Sequence, residues 1–298
     1  MDYALGIDLG GSSVKCALVT LRGEILERHT ATFDPDRRMH WAETILATVG
    51  MLQDQQGQAA SFMGVSAPGL ANRAGRAIAF MPGRLEGLEG LDWTEFLAAR
   101  GPVPVLNDAH AALLGETWIG AARDCQNAIL LTLGTGVGGA AKVDGRLLLG
   151  HIGRAGHLGH SSLDPDGPPD VCGAPGSLEV AIGNCTIRER TGGAFETTHA
   201  LIEACRAGHP LATEVWARSV KALAAAVASY INILDPEAVI IGGGIARAGA
   251  ALFGPLGAHL ERMEWRPGGH KARILPATLG EMAGAIGAAW KSLPGNVP

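Results

Sequence analysis

Cysteine is sparse and unpaired by pattern. Cys16, Cys125, Cys172, Cys185 and Cys205 are scattered, odd in number and without a C-x-x-C spacing. This excludes a disulfide framework and fits a reduced, cytoplasmic setting. Basic clusters are also missing, and the net charge is −5. Neither nucleic acid nor an anionic membrane surface is therefore an expected partner. The apolar runs are short and broken by glycine, too short to span a bilayer. No basic segment leading into an apolar one opens the chain, so no signal peptide is expected. Aromatics make up only 5% of the residues, whereas glycines number 43. The glycines fall in tight loops and not in a low-complexity tract, which suits an α/β protein whose sites are built from backbone. With 298 residues, 47% of them hydrophobic and 18% charged, the chain can bury a sizeable core in one large or two ordinary domains.

Residues 3–9 read as a buried strand running into Asp8-Leu9-Gly10-Gly11-Ser12-Ser13. Strands over 14–21 and 24–28, with a turn at Arg22-Gly23, complete a meander. Trp41, Ile45, Val49 and Leu52 recur at helical spacing. Another strand covers 61–66 and breaks at Ala67-Pro68-Gly69; 82–90 reads as a polar loop. A short apolar run, 103–106, then delivers the chain to Asn107-Asp108 and an alanine- and leucine-rich helix. From residue 128 the order repeats: strand 128–133, a glycine- and hydroxyl-rich turn over 134–139, strand 140–143, and a tight turn at Asp144-Gly145. We read this as an internal duplication. Residues 150–176 form a long irregular segment. A helix over 215–234 stops at Asp235-Pro236, a buried strand over 238–241 ends in Gly242-Gly243-Gly244, and 281–292 is the closing helix.

Three glycine turns thus follow apolar strands, after Asp8, Leu133 and Ile241. Backbone N–H groups in such turns can approach phosphate oxygens because no Cβ intervenes, and a hydroxyl adds a donor. One such turn is what any hairpin needs; three point to a phosphate-bearing ligand. None fits G-x-x-x-x-G-K-[ST], and Gly242-Gly243-Gly244 does not match G-x-G-x-x-G. Asp8 reads either as a strand-end Asp bonded to its turn or as a carboxylate beside bound Mg²⁺. Asp108 reads either as a helix N-cap or as a base placed to take a proton from a bound hydroxyl. His29, His40, His110, His151, His199, His209, His259 and His270 have no partner pattern and are assigned surface or packing roles. Arg206, Arg218 and Lys221 read as a solvated helix face.

Taken in order, Asp8-Leu9-Gly10-Gly11-Ser12, Asn107-Asp108-Ala109 with Gly115-Glu116, Leu133-Gly134-Thr135-Gly136-Val137-Gly138-Gly139, Ala155-Gly156-His157-Leu158-Gly159-His160, Ser177-Leu178-Glu179 and Ile241-Gly242-Gly243-Gly244 resemble the ROK (repressor, open reading frame, kinase) family of sugar kinases. The resemblance covers nearly the whole chain. It implies an α/β fold of two duplicated ribonuclease-H-like lobes of the actin and hexokinase type with a cleft between them, divided as 1–107 plus 283–298 and 108–282. It implies transfer of the γ-phosphoryl group of ATP to a sugar hydroxyl, with O6 of glucose as the default. Asp108 would be the base, Asn107 would bind neighbouring hydroxyls, and Gly69, His157, His160 and Glu179 would complete the sugar site. Asp8 would position Mg–ATP, holding Mg²⁺ through water. Gly10, Gly11, Ser12, Gly134, Thr135 and Gly136 would cradle phosphates, and Gly243 and Gly244 would lie under the adenosine. A homodimer is expected, and no helix-turn-helix is expected ahead of Tyr3.

Three departures lie near the sugar. His157 replaces the Glu of Ala-Gly-Glu-x-Gly-His, a feature similar to bacterial N-acetylmannosamine kinases, so N-acetylmannosamine is the alternative substrate. A non-catalytic sugar sensor on the same fold is the other alternative. Many relatives hold zinc with the His of Gly-His and three cysteines in C-x-C-G-x-x-G-C. Here the run is Asp170-Val171-Cys172-Gly173-Ala174-Pro175-Gly176-Ser177, so His160, Asp170 and Cys172 remain as donors and zinc is not expected. Finally, Ala79-Phe80-Met81-Pro82 stands where relatives carry Asn-Leu-Pro.

Overall fold

The computed structural model describes residues 2–81 and 83–296. Pro82, part of the third departure, lies outside the described residues. The chain divides into two compact units: Met1–Asp124 with Leu147–Ala155 and Thr278–Pro298, and Cys125–Arg146 with Gly156–Ala277.

The first unit opens with β1 (Tyr3–Leu9), β2 (Ser13–Thr20) and β3 (Ile25–Thr32). β1 is apolar at every position but Gly6 and Asp8 because both of its faces are covered. Next come α1 (His40–Gln56), β4 (Phe62–Ala67), the small hairpin β5 (Leu70–Ala71) and β6 (Ile78–Phe80), the one-turn helix α2 (Trp93–Phe96), β7 (Val105–Asn107) and α3 (Asp108–Trp118). The sheet order is β3-β2-β1-β4-β7. β1 pairs antiparallel with β2 and parallel with β4, and β4 pairs parallel with β7. Trp41, Ile45, Val49 and Leu52 of α1 enter the core on one face of this sheet, as their spacing predicts.

The second unit repeats the scheme. β8 (Ala128–Leu133) and β9 (Val137–Val143) form an antiparallel pair, and β10 (Arg146–Leu147) follows. After α4 (Leu178–Ile182), α5 (Ile187–Arg190), α6 (Thr198–Arg206) and α7 (Pro210–Leu234) come β11 (Ala238–Gly242), α8 (Ala250–Met263) and β12 (Arg273–Pro276). The sheet order is β10-β9-β8-β11-β12, with β8, β11 and β12 parallel. Each sheet therefore carries a meander on one side and parallel strands on the other, in the same order, and the duplication read from the sequence is present.

The chain ends in α9 (Ala283–Ser292), which belongs to the first unit. Its Ala285, Ile286 and Ala289 pack with Ala4, Ala17 and Val19 of the sheet. Glycine is required where α9 meets α3. A Cβ on Gly287 would run into the Ala111 carbonyl, and one on Gly115 would lie 2.6 Å from the Ala283 carbonyl. Among the described residues, no helix is long and apolar enough to cross a membrane.

Some boundaries differ from those read in the sequence. β3 runs to Thr32, and α7 starts at Pro210, five residues before 215. Its first turn is capped by the His209 side chain and led by Pro210, with Leu211 as its one large apolar residue, too little to mark a helical stripe. The glycine turn after β8 is only Gly134-Thr135-Gly136, since Val137, Gly138 and Gly139 already pair with β8. Glycine is tolerated in that strand because the Gly156–Leu158 backbone passes directly over Gly139.

Candidate active site

In the first unit, β1, β4 and β7 are parallel neighbours, so their C-terminal ends share one edge of the sheet. Register places Asp8 opposite Ser66 and Ala67 opposite Asn107. Ligands of open α/β sheets bind outside that edge. The topology thus gathers Asp8, the Gly10-Gly11-Ser12 turn, Gly69, Asn107 and Asp108, which lie far apart in sequence.

Asn107, not Asp108, caps α3. Its Oδ1 accepts the Ala109 N–H at 3.0 Å, and Asp108 is the first helical residue. The capping alternative for Asp108 is therefore corrected. The other end of the Asn107 amide donates to the Gly69 carbonyl at 2.9 Å. Gly69 sits at φ 98°, where L side chains are strained. With the cap supplied by its neighbour, Asp108 has an exposed side chain whose Oδ1 accepts the Ala109 N–H at 2.8 Å. Although the side chain reaches solvent, the protein massed around it removes much of the water its carboxylate would order. This raises its pKa above the ordinary value, against the opposing hydrogen bonds from Ala109 and Asn107.

Asp8 accepts a hydrogen bond from the Ser66 hydroxyl at 2.6 Å. Burial pushes its pKa up to about 6; Ser66 and Lys15 oppose the rise and the charge of Asp108 adds to it. A carboxylate whose ionisation is made costlier by burial and by a second carboxylate favours a bound cation, so Asp8 with Asp108 at this edge fits Mg²⁺. Asp8 also lies against α9, since a Cβ on Gly284 would fall 2.7 Å from its carboxyl carbon. His110 is buried, with Nε2 3.1 Å from the Ala155 carbonyl, in agreement with a packing role.

In the second unit, β8 and β11 end side by side, with Thr132 opposite Gly242. The Gly134-Thr135-Gly136 turn is braced from behind: the Asn184 N–H donates to the Gly134 carbonyl and the Cys185 N–H to the Thr135 carbonyl, at 3.0 and 2.8 Å. Gly243, at φ 86°, presses against the Leu133 backbone, where a side chain would collide with the carbonyl. A cavity of about 620 Å³ brings Gly134 and Thr135 together with Gly244. It is also lined by Asn184, Thr198, His199, Arg206 and Arg247. His199, read from sequence as a surface or packing residue, and Arg206, read as part of a solvated helix face, are thus in the cavity wall. The helix that carries them, α6, was not read from the sequence, and nothing local says what those side chains face. Thr198 Oγ1 is buried without a hydrogen-bond partner among the described residues.

Glu179, on α4, is nearly buried, and its Oε2 accepts the Val137 N–H at 2.9 Å. Its carboxylate packs on the α-carbon of Gly136, which ties Glu179 to the 134–136 turn. His157 precedes the helical turn that carries His160. That turn is fixed by Tyr230, whose hydroxyl donates to the Leu158 carbonyl at 2.5 Å.

His160 Nδ1 lies 2.8 Å from Asp170 Oδ2, and Cys172 Sγ lies 3.5 Å from His160 Nε2. These three donors gather within 4.8 Å, but they do not fit tetrahedral zinc. Asp170 Oδ1 already accepts the N–H groups of Cys172 and Ala174, at 2.9 and 3.0 Å. The side chains of His160 and Ser177 also bond to the carboxylate. Burial raises the Asp170 pKa, but these four bonds outweigh it and hold the carboxyl below its ordinary value. Donors spent on one another leave no set of four strong ligands, and Ser177 is a poor one. Asp170 itself is the hub, helped by backbone bonds from Leu163 to Gly176 and from Gly176 to Pro168.

Comparisons with known proteins identify the family. Residues 4–292 match the ROK family. The chain is 37% identical over 278 residues to a glucokinase of Thermotoga maritima, covering 85% of each sequence. It is 30% identical over 294 residues to an N-acetylmannosamine kinase of Pasteurella multocida, covering 96% of this chain and 95% of the relative. A ROK family glucokinase from Streptomyces griseus, solved in complex with glucose and AMPPNP, superposes with a TM-score of 0.77 at 27% identity, covering 96% of this chain and 98% of that one. The chain belongs to the ROK family of sugar kinases and has the two-lobed, actin-like α/β fold of that family.

Proposed function

We propose that this chain, an ATP-dependent sugar kinase, phosphorylates O6 of glucose with Asp108 as the base. The observation that carries the reading is the division of labour at the start of α3. Asn107 caps the helix, and Asp108 is left with an exposed carboxylate of raised pKa at the sheet's ligand-binding edge. A base is stronger when its pKa rises toward the working pH.

In the reaction the sugar hydroxyl gives its proton to the Asp108 carboxylate. Its oxygen forms a bond to Pγ as the bond from Pγ to the bridging oxygen breaks, and that electron pair leaves with ADP. Asn107, Gly69, His157, His160 and Glu179 orient the sugar. The Gly10-Gly11-Ser12 and Gly134-Thr135-Gly136 turns hold phosphate oxygens, and Gly243 and Gly244 lie under the adenosine, beside the 620 Å³ cavity. Mg²⁺, when bound, would supply charge neutralisation, and Asp8 would hold it. Such transfers depend on positioning and electrostatics more than on covalent chemistry. Asp170 supports the sugar role of His160: as a carboxylate acceptor it keeps the proton on Nδ1. The same reading expects a cytoplasmic homodimer.

His157 favours a second substrate, N-acetylmannosamine, since a histidine stands where a Glu would contact sugar hydroxyls. The test is ADP release from Mg–ATP with glucose, mannose, fructose, allose, N-acetylglucosamine, N-acetylmannosamine or no sugar, beside Asp108→Asn. Sugar-dependent release that the substitution lowers by about 10²-fold or more is the expected result. Preference for N-acetylmannosamine would make His157 a specificity determinant. No turnover with any sugar by folded, ATP-binding protein would remove the reading.

A further inference from the structure

Beside the Gly10-Gly11-Ser12 turn, the first unit has a cavity of about 650 Å³ lined by Gly11, Asp36, Arg84, Glu86 and Glu89 among others. None of the proposed sugar residues lines it. Arg84 is exposed, and its Nη2 lies so close to Gly11 that a Cβ there would be 2.5 Å away. Only a glycine at residue 11 lets the guanidinium come this near to the turn. Two of the three carboxylates that line the cavity with it are engaged elsewhere: Glu86 pairs with Arg38 at 2.9 Å, and Glu89 accepts the Met81 N–H. Among the described residues, Arg84 makes no hydrogen bond or ion pair of its own.

The loop that presents Arg84 is nevertheless pinned. Leu85 sits at φ 52°, a strained conformation for a residue with a side chain, which persists only where its surroundings impose it. Here they do. Leu85 packs on the core, Leu88 is fully buried with its N–H on the Leu85 carbonyl at 3.0 Å, and Trp41 Nε1 donates to the Glu86 carbonyl at 3.1 Å. A strained, anchored loop therefore holds one uncommitted guanidinium against a phosphate-binding turn.

We propose that Arg84 contacts the phosphoryl group during transfer, as a catalytic residue that neutralises charge on its non-bridging oxygens. The proposal rests on the kinase reading above. A planar guanidinium can offer two parallel N–H groups to one phosphoryl group, which a lysine cannot. It acts on the charge that spreads over the equatorial oxygens as the leaving bond breaks. The bonds formed and broken and the path of the hydroxyl proton are those already given.

The test compares wild type, Arg84→Ala and Arg84→Lys in Mg–ATP with the preferred sugar. Arg84→Ala should lower kcat by about 10²-fold, the scale of one lost charge-stabilising donor. The KM values for sugar and ATP should stay within about threefold, as for an interaction made in the transition state. Arg84→Lys should fall between the two. Added guanidinium ion should restore Arg84→Ala by about tenfold or more and leave Arg84→Lys unchanged, a rescue that lost loop structure would not give. An unchanged kcat, a rise in KM in place of the fall in kcat, or no rescue would overturn the proposal while the kinase reading stands. Wild-type protein without sugar-dependent turnover would instead overturn the kinase reading.

Discussion

The contact between Glu179 and Gly136 gives a sharp quantitative test. Gly136 does not occupy the left-handed region, so alanine is acceptable to its backbone. What excludes alanine is the Glu179 carboxylate, which sits well inside the 3.0 Å that real Cβ atoms keep. Among the described residues, after the carboxylate's own atoms and apart from the chain neighbours, nothing approaches the Cβ position more closely than 3.7 Å, an ordinary contact. Because Glu179 is only 7% exposed, its carboxylate cannot swing into water. Gly136→Ala must therefore displace it and break the 2.9 Å bond from the Val137 N–H. A hydrogen bond to a charged group is worth about 1.5–3 kcal/mol, so the single variant should lose about 2–3 kcal/mol. In a Glu179→Ala background the same substitution meets open space and should cost less than about 0.5 kcal/mol, giving a coupling near 2 kcal/mol. Urea unfolding of the four proteins, followed by circular dichroism with m-values compared, measures the cycle. Effects that add to within about 0.5 kcal/mol would refute the packing argument.

Glu116 is fully buried on α3 and accepts from the N–H groups of Ala121, Thr278 and Leu279 and from the Thr278 hydroxyl, at 2.7 to 3.1 Å. Glu116→Ala strands these donors and should cost about 3–5 kcal/mol in urea unfolding; a loss below 1 kcal/mol would contradict it. Asp8→Asn should abolish turnover yet stabilise the metal-free protein at pH 8. The folded pKa of about 6 lies above the ordinary 3.8, so stability from this group is full below 3.8 and is lost as pH rises through 6. The gain from the substitution should thus be larger at pH 8 than at pH 5, by about 1 kcal/mol, and a gain that shrinks with pH would refute it. Purified wild-type protein should carry less than about 0.2 zinc per chain and keep its Tm in chelator, whereas Asp170→Cys with Ser177→Cys should take up about one zinc. Stoichiometric zinc in the wild type, measured by plasma mass spectrometry, would show that the Asp170 hub opens for metal.

What the sequence reveals is what local periodicity and turn chemistry encode. β1 announces itself because both of its faces are buried, α1 because four apolar residues repeat at helical spacing, and the three turns because glycine follows each apolar strand. What stayed hidden depends on contacts between distant residues. Glu116 reads as an ordinary helical Glu until Thr278, 162 positions on, folds against it. Glu179 carries no local sign that its carboxylate is bonded to Val137, 42 positions earlier. Asn107 and Asp108 are both good capping residues, and only the dihedral angles and the Gly69 contact assign the cap to Asn107. Arg84 follows a short hairpin with no motif of its own, and only the fold brings it to Gly11.

The return of α9 to the first unit has a consequence for how the protein is made. Residues 2–124 leave the ribosome first, but one face of their sheet is covered by Ala285, Ile286 and Ala289 of α9. At about 5–20 residues per second, that helix emerges roughly 10–30 s after α3. The second unit, whose residues end at Ala277, is fully synthesised before it. The lobe that begins the chain is therefore the last to be finished, and its apolar face must wait on the nascent chain. Loss of the last two dozen residues would thus cripple the half of the molecule that was synthesised first.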